Sequence, residues 1–155
     1  MKILIVEDES LLALALEEQL RGAGHEIVGP VYDYTTALAL ATSQRPALAI
    51  VDVEIANAEE RTRLIWSLSG LLDIPSIVLT SRRQNVTACE GAAVTILDKP
   101  FTIEEILPAV DVGIERFASD AREAVPARIR HRERMSGHAD SLADARATRR
   151  GTHPA

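Results

Sequence analysis

The sequence predicts an α/β fold in which a five-stranded parallel sheet is covered by helices on both faces. Short runs of consecutive apolar residues recur five times within residues 1–118, as in strands that are buried on both faces. Longer segments with helical periodicity separate these runs, and this alternation is typical of parallel strands joined by helical crossovers. Glycine or proline stands at several of the joints, among them Gly24, Pro46 and Pro75.

Each strand is predicted from one apolar run. The five strands cover residues 2–6, 26–31, 47–51, 76–79 and 94–97. The first, Lys2–Val6, is rich in β-branched residues, and Pro75 opens the fourth. These lengths are typical of strands in a sheet whose faces are both covered.

The helices are predicted from the segments between the strands. They cover residues 10–23, 35–43 and 59–72, with a short helix within 82–91 and a last helix from 102 to about 117. In the first helix, Leu12, Leu16 and Leu20 form one apolar stripe, and Gly24 is a natural stop.

The last helix carries two further signals. Thr102 and Glu105 have the spacing of a capping box, which marks the start of a helix. Pro108 lies inside the helix and has no N–H group, so one backbone hydrogen bond is expected to be missing and the chain to bend there.

Composition and charge divide the chain into a domain, residues 1–118, and a tail, residues 119–155. The domain carries 9 Lys or Arg against 18 Asp or Glu, a net charge of −9, whereas the tail carries 8 Arg against 5 acids, a net charge of +3. The tail has few apolar residues, so we predict that it is disordered and has no core for a DNA-binding helix-turn-helix. The domain is acidic, which is a second reason why direct DNA binding is not expected.

Several observations predict a cytoplasmic protein without a membrane segment. No apolar run approaches the roughly 18 to 20 residues of a membrane helix, and the N-terminal run is too short for a signal peptide. Cys89 is the single cysteine, so no internal disulfide can form, which fits a reducing compartment.

Polar side chains follow four of the five predicted strands. Glu7 and Asp8 follow the first strand, Asp52 the third, Thr80 the fourth and Lys99 the fifth. Each residue alone has an ordinary explanation, such as a helix cap or a turn. However, the carboxyl ends of parallel strands meet at one edge of a sheet, so we expect these side chains to converge. Clustered carboxylates repel one another unless a cation neutralises them, and Mg²⁺ prefers such oxygen ligands.

These residues and their neighbours resemble the receiver domain of bacterial response regulators in two-component signalling. The matching motifs are Glu7-Asp8, Ile50-Val51-Asp52, Leu79-Thr80 and Lys99-Pro100-Phe101. They agree with the family in identity, order and spacing, and the resemblance covers about residues 2–117. It implies a flavodoxin-like (βα)5 doubly wound parallel sheet with strand order 2-1-3-4-5.

The resemblance also implies the roles of the carboxylates. Asp52 would be the phosphoacceptor, which takes a phosphoryl group from a phosphohistidine on a sensor histidine kinase or a histidine phosphotransfer protein. Glu7, Asp8, Asp52 and the backbone carbonyl of Glu54 would be the protein ligands of Mg²⁺. Apart from this self-catalysed transfer and slow autodephosphorylation, no enzymatic activity is implied.

Thr80 and Lys99 would act on the phosphoryl group. The resemblance implies that the Thr80 hydroxyl donates to one phosphoryl oxygen and that the Lys99 ammonium pairs with another. It also implies a cis peptide bond between Lys99 and Pro100. Movement of the loops after the fourth and fifth strands would then change the surface that a downstream protein, not identified by the sequence, contacts.

The sequence departs from the family pattern at three places. Many receivers have an aromatic residue where this chain has Ile96, so the usual aromatic switch is absent or replaced. The segment between Thr80 and Lys99 is short, which resembles a group of alphaproteobacterial receivers with a reduced fourth helix. Glu54 adds negative charge two positions after the predicted acceptor.

Three functional hypotheses are open from the sequence. The first is a stand-alone receiver that switches protein–protein contacts, with homodimerisation as a family habit that the sequence does not decide. The second is an atypical receiver that acts as a constitutive binding or dimerisation module without phosphorylation. The third is a haloacid-dehalogenase-type phosphatase, but that family has D-x-D-x-T after its first strand, and residues 7–10 do not supply it.

Overall fold

The computed structural model describes residues 1–55, 57–93, 95–115 and 118–119. The chain divides into two units, Met1–Phe117 and Ala118–Ala155. Apart from its first residue, the tail predicted at residues 119–155 lies outside the described residues, and its disorder stays a prediction.

Five parallel strands form one sheet. They are β1 (Lys2–Val6), β2 (Glu26–Val31), β3 (Leu48–Asp52), β4 (Ser76–Thr80) and β5 (Thr95–Asp98). Their order is β2-β1-β3-β4-β5, which confirms the flavodoxin-like order that the resemblance implied. Every residue of β3 and β4 is buried, as expected for central strands covered on both faces.

Helices cover both faces of this sheet. They are α1 (Ser10–Gly22), α2 (Tyr34–Gln44), α3 (Ala58–Trp66), which continues as a π-helical turn (Ser67–Leu71), and a C-terminal helix at residues 106–115. None of the helices in the described part of the chain is both long and apolar enough to span a membrane.

The alternation of side chains along the strands creates two cores. One face of the sheet packs against α2 and α3, and its buried residues include Leu4, Val6, Ala37, Ala41, Val51, Leu64, Leu68 and Val78. The other face packs against α1 and the C-terminal helix, and its buried residues include Ile3, Ile5, Leu16, Leu20, Ile50, Ile77, Ile106 and Val110. The two cores fix both faces of the central strands, and so hold the carboxyl ends of these strands in place.

The fourth crossover is reduced, as predicted. Between β4 and β5 the described chain forms two 3-10 turns, Arg83–Asn85 and Thr87–Cys89. Trp66 at the end of α3 covers this crossover, because its indole N–H donates to the Ala88 carbonyl at 3.1 Å. A side chain at Gly91 would touch the same indole ring. Trp66 is therefore a packing residue on the outside of the crossover.

The capping box at the last helix is confirmed, and the turn that it begins also accommodates Pro108. The Glu105 carboxylate accepts from the Thr102 N–H at 2.6 Å. Because Pro108 cannot donate to the carbonyl of Glu104, the first turn, Ile103–Glu105, is a 3-10 turn, and the α-helix begins at residue 106. Pro108 thus lies in the first turn of the α-helix, where an N–H group has no partner in any case.

Asn57 caps α3 directly after the loop that follows β3. Its side-chain oxygen accepts from the N–H groups of Glu59 and Glu60, both at 3.0 Å. We expect Asn57→Ala to lower the free energy of unfolding by about 1 kcal/mol, because two N–H groups lose their acceptor. Urea unfolding measures this change, and Asn57→Asp, which keeps an acceptor, is the control. Equal stability of wild type and Asn57→Ala would contradict the role of the cap.

Candidate active site at the carboxyl edge of the sheet

Three carboxylates meet where β1 and β3 end. Glu7 and Asp8 follow β1, and Asp52 is the last residue of the neighbouring strand β3. One carboxylate oxygen from each of the three lies within 4.8 Å of the others. Glu7 and Asp52 are buried, whereas Asp8 is exposed. The structure therefore brings together the three side chains that the sequence predicted as metal ligands.

Burial strongly affects the carboxylate of Glu7. It is fully buried, one oxygen accepts from the Glu9 N–H at 2.9 Å, and the other has no hydrogen-bond partner among the residues the structure describes. Loss of hydration raises the pKa of Glu7 to about 7, and the nearby charge of Asp52 contributes in the same direction. The Lys99 ammonium, 3.5 Å away, opposes this rise only in part.

Asp52 and Lys99 form an ion pair at the centre of the site. One Asp52 oxygen accepts from Lys99 Nζ at 2.8 Å, and the other accepts from the Glu54 N–H at 2.8 Å. Burial disfavours the charge of Lys99, but its hydrogen bond with Asp52 and the charges of Asp52 and Glu7 together raise the pKa of Lys99. Lys99 is therefore charged throughout the neutral range.

The loop after β5 carries Lys99 into the site. The Lys99 N–H donates to the Thr80 carbonyl at 2.7 Å, which joins the ends of β4 and β5. The peptide bond between Lys99 and Pro100 is cis, as the resemblance implied. A cleft of about 400 Å³ opens beside Lys99, and it is lined by Glu9, Leu12, Ser81, Lys99, Pro100 and Phe101.

The residues present fit a hard divalent cation. They offer oxygen ligands from two buried carboxylates and one exposed carboxylate, and one buried oxygen of Glu7 lacks a hydrogen-bond donor. The fourth predicted ligand is the backbone carbonyl of Glu54. The structure records hydrogen bonds of the N–H group and the side chain of Glu54, and the role of its carbonyl stays a prediction.

Thr80 ends β4 beside Asp52, but its hydroxyl is engaged elsewhere. The hydroxyl donates to the Arg82 carbonyl at 2.9 Å and accepts from the Arg82 N–H at 3.0 Å. The side chain is fully buried. Because a hydroxyl has one hydrogen to donate, it has to release the Arg82 carbonyl before it can donate to another group. Its predicted contact with a phosphoryl group stays a prediction.

The Glu54 side chain forms a contact that sequence reasoning did not anticipate. Its carboxylate accepts from both the N–H group and the hydroxyl of Ser81, which follows β4. The Ser81 hydroxyl is the largest cause of a lowered pKa at Glu54, so this carboxylate is ionised at neutral pH. Only the place of both residues after neighbouring strands could have indicated the contact.

Two arginines also support the site. Arg61 of α3 donates to the Val53 carbonyl at 2.9 Å and so holds the loop after β3. Arg83 binds both carboxylate oxygens of Asp98, at 2.7 and 2.6 Å, next to Lys99. These pairs join residues 8 and 15 positions apart, and nothing in the sequence pattern pointed to them.

Residues 3–111 match the family model described as the response regulator receiver domain. The chain is 35% identical over 119 residues to the transcriptional regulatory protein PdtaR of Mycobacterium tuberculosis, a match that covers 75% of this chain and 58% of that protein. It is 30% identical over 102 residues to the phyllosphere-induced regulator PhyR of Methylorubrum extorquens, which covers 64% of this chain and 38% of PhyR. The chain thus spans little more than half of PdtaR and less of PhyR.

Solved structures give the same likeness. The receiver domain of the sensor histidine kinase PA1611 of Pseudomonas aeruginosa, which holds a magnesium ion in its active site cleft, matches with a TM-score of 0.62 at 26% identity. That match covers 74% of this chain and 97% of the PA1611 domain. The signal receiver domain of a modulated diguanylate cyclase from Desulfovibrio desulfuricans matches with a TM-score of 0.69 at 24% identity, covering 77% of this chain and 97% of that one.

Proposed function

The chain belongs to the response regulator receiver domain family, and on that premise we propose that it accepts a phosphoryl group on Asp52 in the presence of Mg²⁺ and thereby switches its contacts with another protein. The donor would be a phosphohistidine on a sensor histidine kinase or a histidine phosphotransfer protein.

One observation carries the proposal. The Asp52 carboxylate lies at the carboxyl edge of the sheet, 2.8 Å from the Lys99 ammonium and beside the carboxylates of Glu7 and Asp8. A nucleophilic oxygen, a fixed cation and hard oxygen ligands are what phosphoryl transfer requires, because that reaction depends mainly on positioning and charge neutralisation. The magnesium ion in the similar PA1611 domain supports Mg²⁺ as the metal.

The transfer would exchange one bond to phosphorus for another. An Asp52 oxygen attacks the phosphorus atom, a P–O bond forms, and the P–N bond to the donor imidazole breaks. The electron pair of that bond stays on the imidazole nitrogen, which takes up a proton. Lys99, which is 2.8 Å from Asp52, would then pair with one phosphoryl oxygen, and the Thr80 hydroxyl would turn from Arg82 to donate to another. Bound Mg²⁺ would neutralise charge on the carboxylates and on the phosphoryl group.

The output would depend on the loops after β4 and β5. Thr80 is the last residue of β4 and Lys99 directly follows β5. Arg83 of the first loop binds Asp98, the last residue of β5. Ile96 stands on β5 where many receivers have an aromatic residue, and it is partly buried against the core that α2 and α3 cover. The usual aromatic side chain that moves with Thr80 is therefore absent here. We therefore assign the coupling between the two loops to the Arg83–Asp98 pair. The downstream partner would contact the surface around these loops, and homodimerisation is one form that this contact can take.

The test is intact-mass spectrometry after incubation with Mg²⁺ and acetyl phosphate. Wild type is expected to gain the mass of one phosphoryl group, and Asp52→Asn is expected to gain none, because its amide is not a nucleophile. EDTA should abolish the gain in wild type. Folding of both proteins is checked by circular dichroism.

If wild type gains no mass with acetyl phosphate, the incubation is repeated with a second phosphoryl donor, a phosphorylated histidine phosphotransfer protein. If wild type gains no mass from either donor while folded, the proposal is wrong, and the constitutive binding or dimerisation module takes its place. A gain that persists in Asp52→Asn would instead place the acceptor at another residue.

A further inference from the structure

Glu54 and Ser81 bridge the mouth of the candidate site. The Glu54 carboxylate accepts from the Ser81 N–H at 2.9 Å and also from the Ser81 hydroxyl. The two residues are 27 positions apart, and they belong to the loops that follow β3 and β4. Both are exposed, so the bridge lies on the solvent side of the buried carboxylates.

The donors at the end of β4 are bonded within the protein, those of Ser81 by this bridge and that of Thr80 by Arg82. The Thr80 hydroxyl donates to the Arg82 carbonyl, and the hydroxyl and N–H of Ser81 both donate to Glu54. All three donors are therefore bonded to acceptors within the protein, and the one anion that they hold is the carboxylate of Glu54.

A phosphoryl group on Asp52 would compete with Glu54 for these donors. The Glu54 N–H donates to Asp52 at 2.8 Å, so the backbone of Glu54 is held at the acceptor while its carboxylate reaches across to Ser81. An arriving phosphoryl group brings several further anionic oxygens, and charge-assisted hydrogen bonds favour whichever anion holds the donors.

We propose that the Glu54 carboxylate and Ser81 form a latch that slows phosphorylation of Asp52, because Glu54 has to release Ser81 before the Thr80–Arg82 turn can bind the phosphoryl group. Glu54 and Ser81 are positioning residues in this role, since they act through the turn. The inference rests on the function proposed above and adds what sets its rate.

The experiment compares rates of phosphorylation by acetyl phosphate at saturating Mg²⁺, followed by intact mass in the full chain. Ser81→Ala removes the hydrogen bond from the Ser81 hydroxyl to Glu54, and we expect a rate about threefold faster than wild type. Glu54→Ala removes both hydrogen bonds from Ser81, and we expect a rate about tenfold faster. Ser81→Thr keeps the hydroxyl and is expected to restore the wild-type rate. Glu18→Gln, which removes a negative charge from the exposed face of α1, is the matched control and should not change the rate.

A second measurement needs no phosphoryl donor. Amide hydrogen exchange by NMR in the metal-free protein should show a protected Ser81 N–H in wild type and loss of that protection in Glu54→Ala. An unprotected Ser81 N–H in wild type would overturn the latch.

The rates separate the remaining outcomes. Faster phosphorylation in Glu54→Ala but not in Ser81→Ala would mean simple charge repulsion of the donor, and equal rates in all variants would mean no control at all. Either result overturns the latch while the proposed function stands. A blank in wild type and in every variant, with either donor, would remove the proposed function and the latch with it.

Discussion

Replacing Glu7 by glutamine is expected to stabilise the metal-free protein at pH 8 and to weaken its binding of Mg²⁺. Glu7 is fully buried, and one of its oxygens lacks a hydrogen-bond donor among the described residues. Its pKa rises from 4.5 to about 7 in the folded state, so an ionised Glu7 costs on the order of 3 kcal/mol of folding free energy at pH 8. Glutamine has the same shape and no charge, and therefore avoids this cost.

The raised pKa of Glu7 predicts how the free energy of unfolding changes with pH. Between pH 4.5 and pH 7 the folded wild type binds more protons than the unfolded chain, so its stability falls as the pH rises through this window. Below that window Glu7 is protonated in both states, and the variant and wild type should be about equally stable. Urea unfolding in EDTA at several pH values measures the difference, and Glu18→Gln is the control. Parallel pH profiles for Glu7→Gln and wild type would contradict the expected burial of an unsatisfied carboxylate.

In saturating Mg²⁺, wild type should become more stable than Glu7→Gln. A glutamine at position 7 offers a neutral oxygen in place of a charged one, so we expect Mg²⁺ affinity to fall roughly tenfold or more. Calorimetric titration measures the affinity directly. Unchanged affinity would remove Glu7 from the ligand set and leave Asp8 and Asp52.

Replacing Lys99 by methionine is expected to have the opposite effect on stability and a larger effect on phosphorylation. Methionine keeps the length of the side chain but leaves the buried carboxylates of Glu7 and Asp52 without their cation. We expect a loss of about 3 kcal/mol at pH 8 in EDTA, since removing one partner of a buried pair leaves its counter-charge uncompensated. Phosphorylation of Asp52 by acetyl phosphate should slow about 100- to 1000-fold, the usual effect of losing one donor to a developing anion.

The chain offers a matched control for this variant. Lys2 is the only other lysine, and it is half-exposed and 3.8 Å from Glu26 on the surface. Lys2→Met should change neither rate nor stability appreciably, because exposed pairs contribute little. In the Glu7→Gln background, Lys99→Met should destabilise the protein less than it does in wild type, since the two side chains interact. A wild-type rate in Lys99→Met would exclude Lys99 from the transfer.

Local patterns were enough to predict the fold and the meeting of the site residues. The runs at residues 2–6 and 26–31 predicted β1 and β2 with the observed bounds, because polar or glycine residues adjoin both runs. The edge at which Glu7, Asp52 and Lys99 meet followed from the parallel direction of the strands. Burial of Glu7 beside an exposed Asp8 was not predicted, since it depends on how the loop before α1 packs.

Other features depend on contacts between distant residues, which local patterns do not contain. The Glu54–Ser81 contact needs two loops to face each other, and the Arg83–Asp98 pair needs a shortened crossover to approach β5. The third helix was predicted to run to residue 72, but its last turn is π-helical because packing decides its hydrogen bonds there. Sequence periodicity cannot distinguish one such turn from a regular α-helix.

The indole that covers the reduced crossover gives the molecule a built-in optical probe. Trp66 is the only tryptophan, its N–H donates to the Ala88 carbonyl, and a side chain at Gly91 would touch its ring. Ala88 and Gly91 lie in the segment between Thr80 and Lys99, the two residues expected to move toward a phosphoryl group. A rearrangement of that segment on phosphorylation would therefore change the fluorescence emission of Trp66, and the wild-type chain would report it in real time without any attached dye.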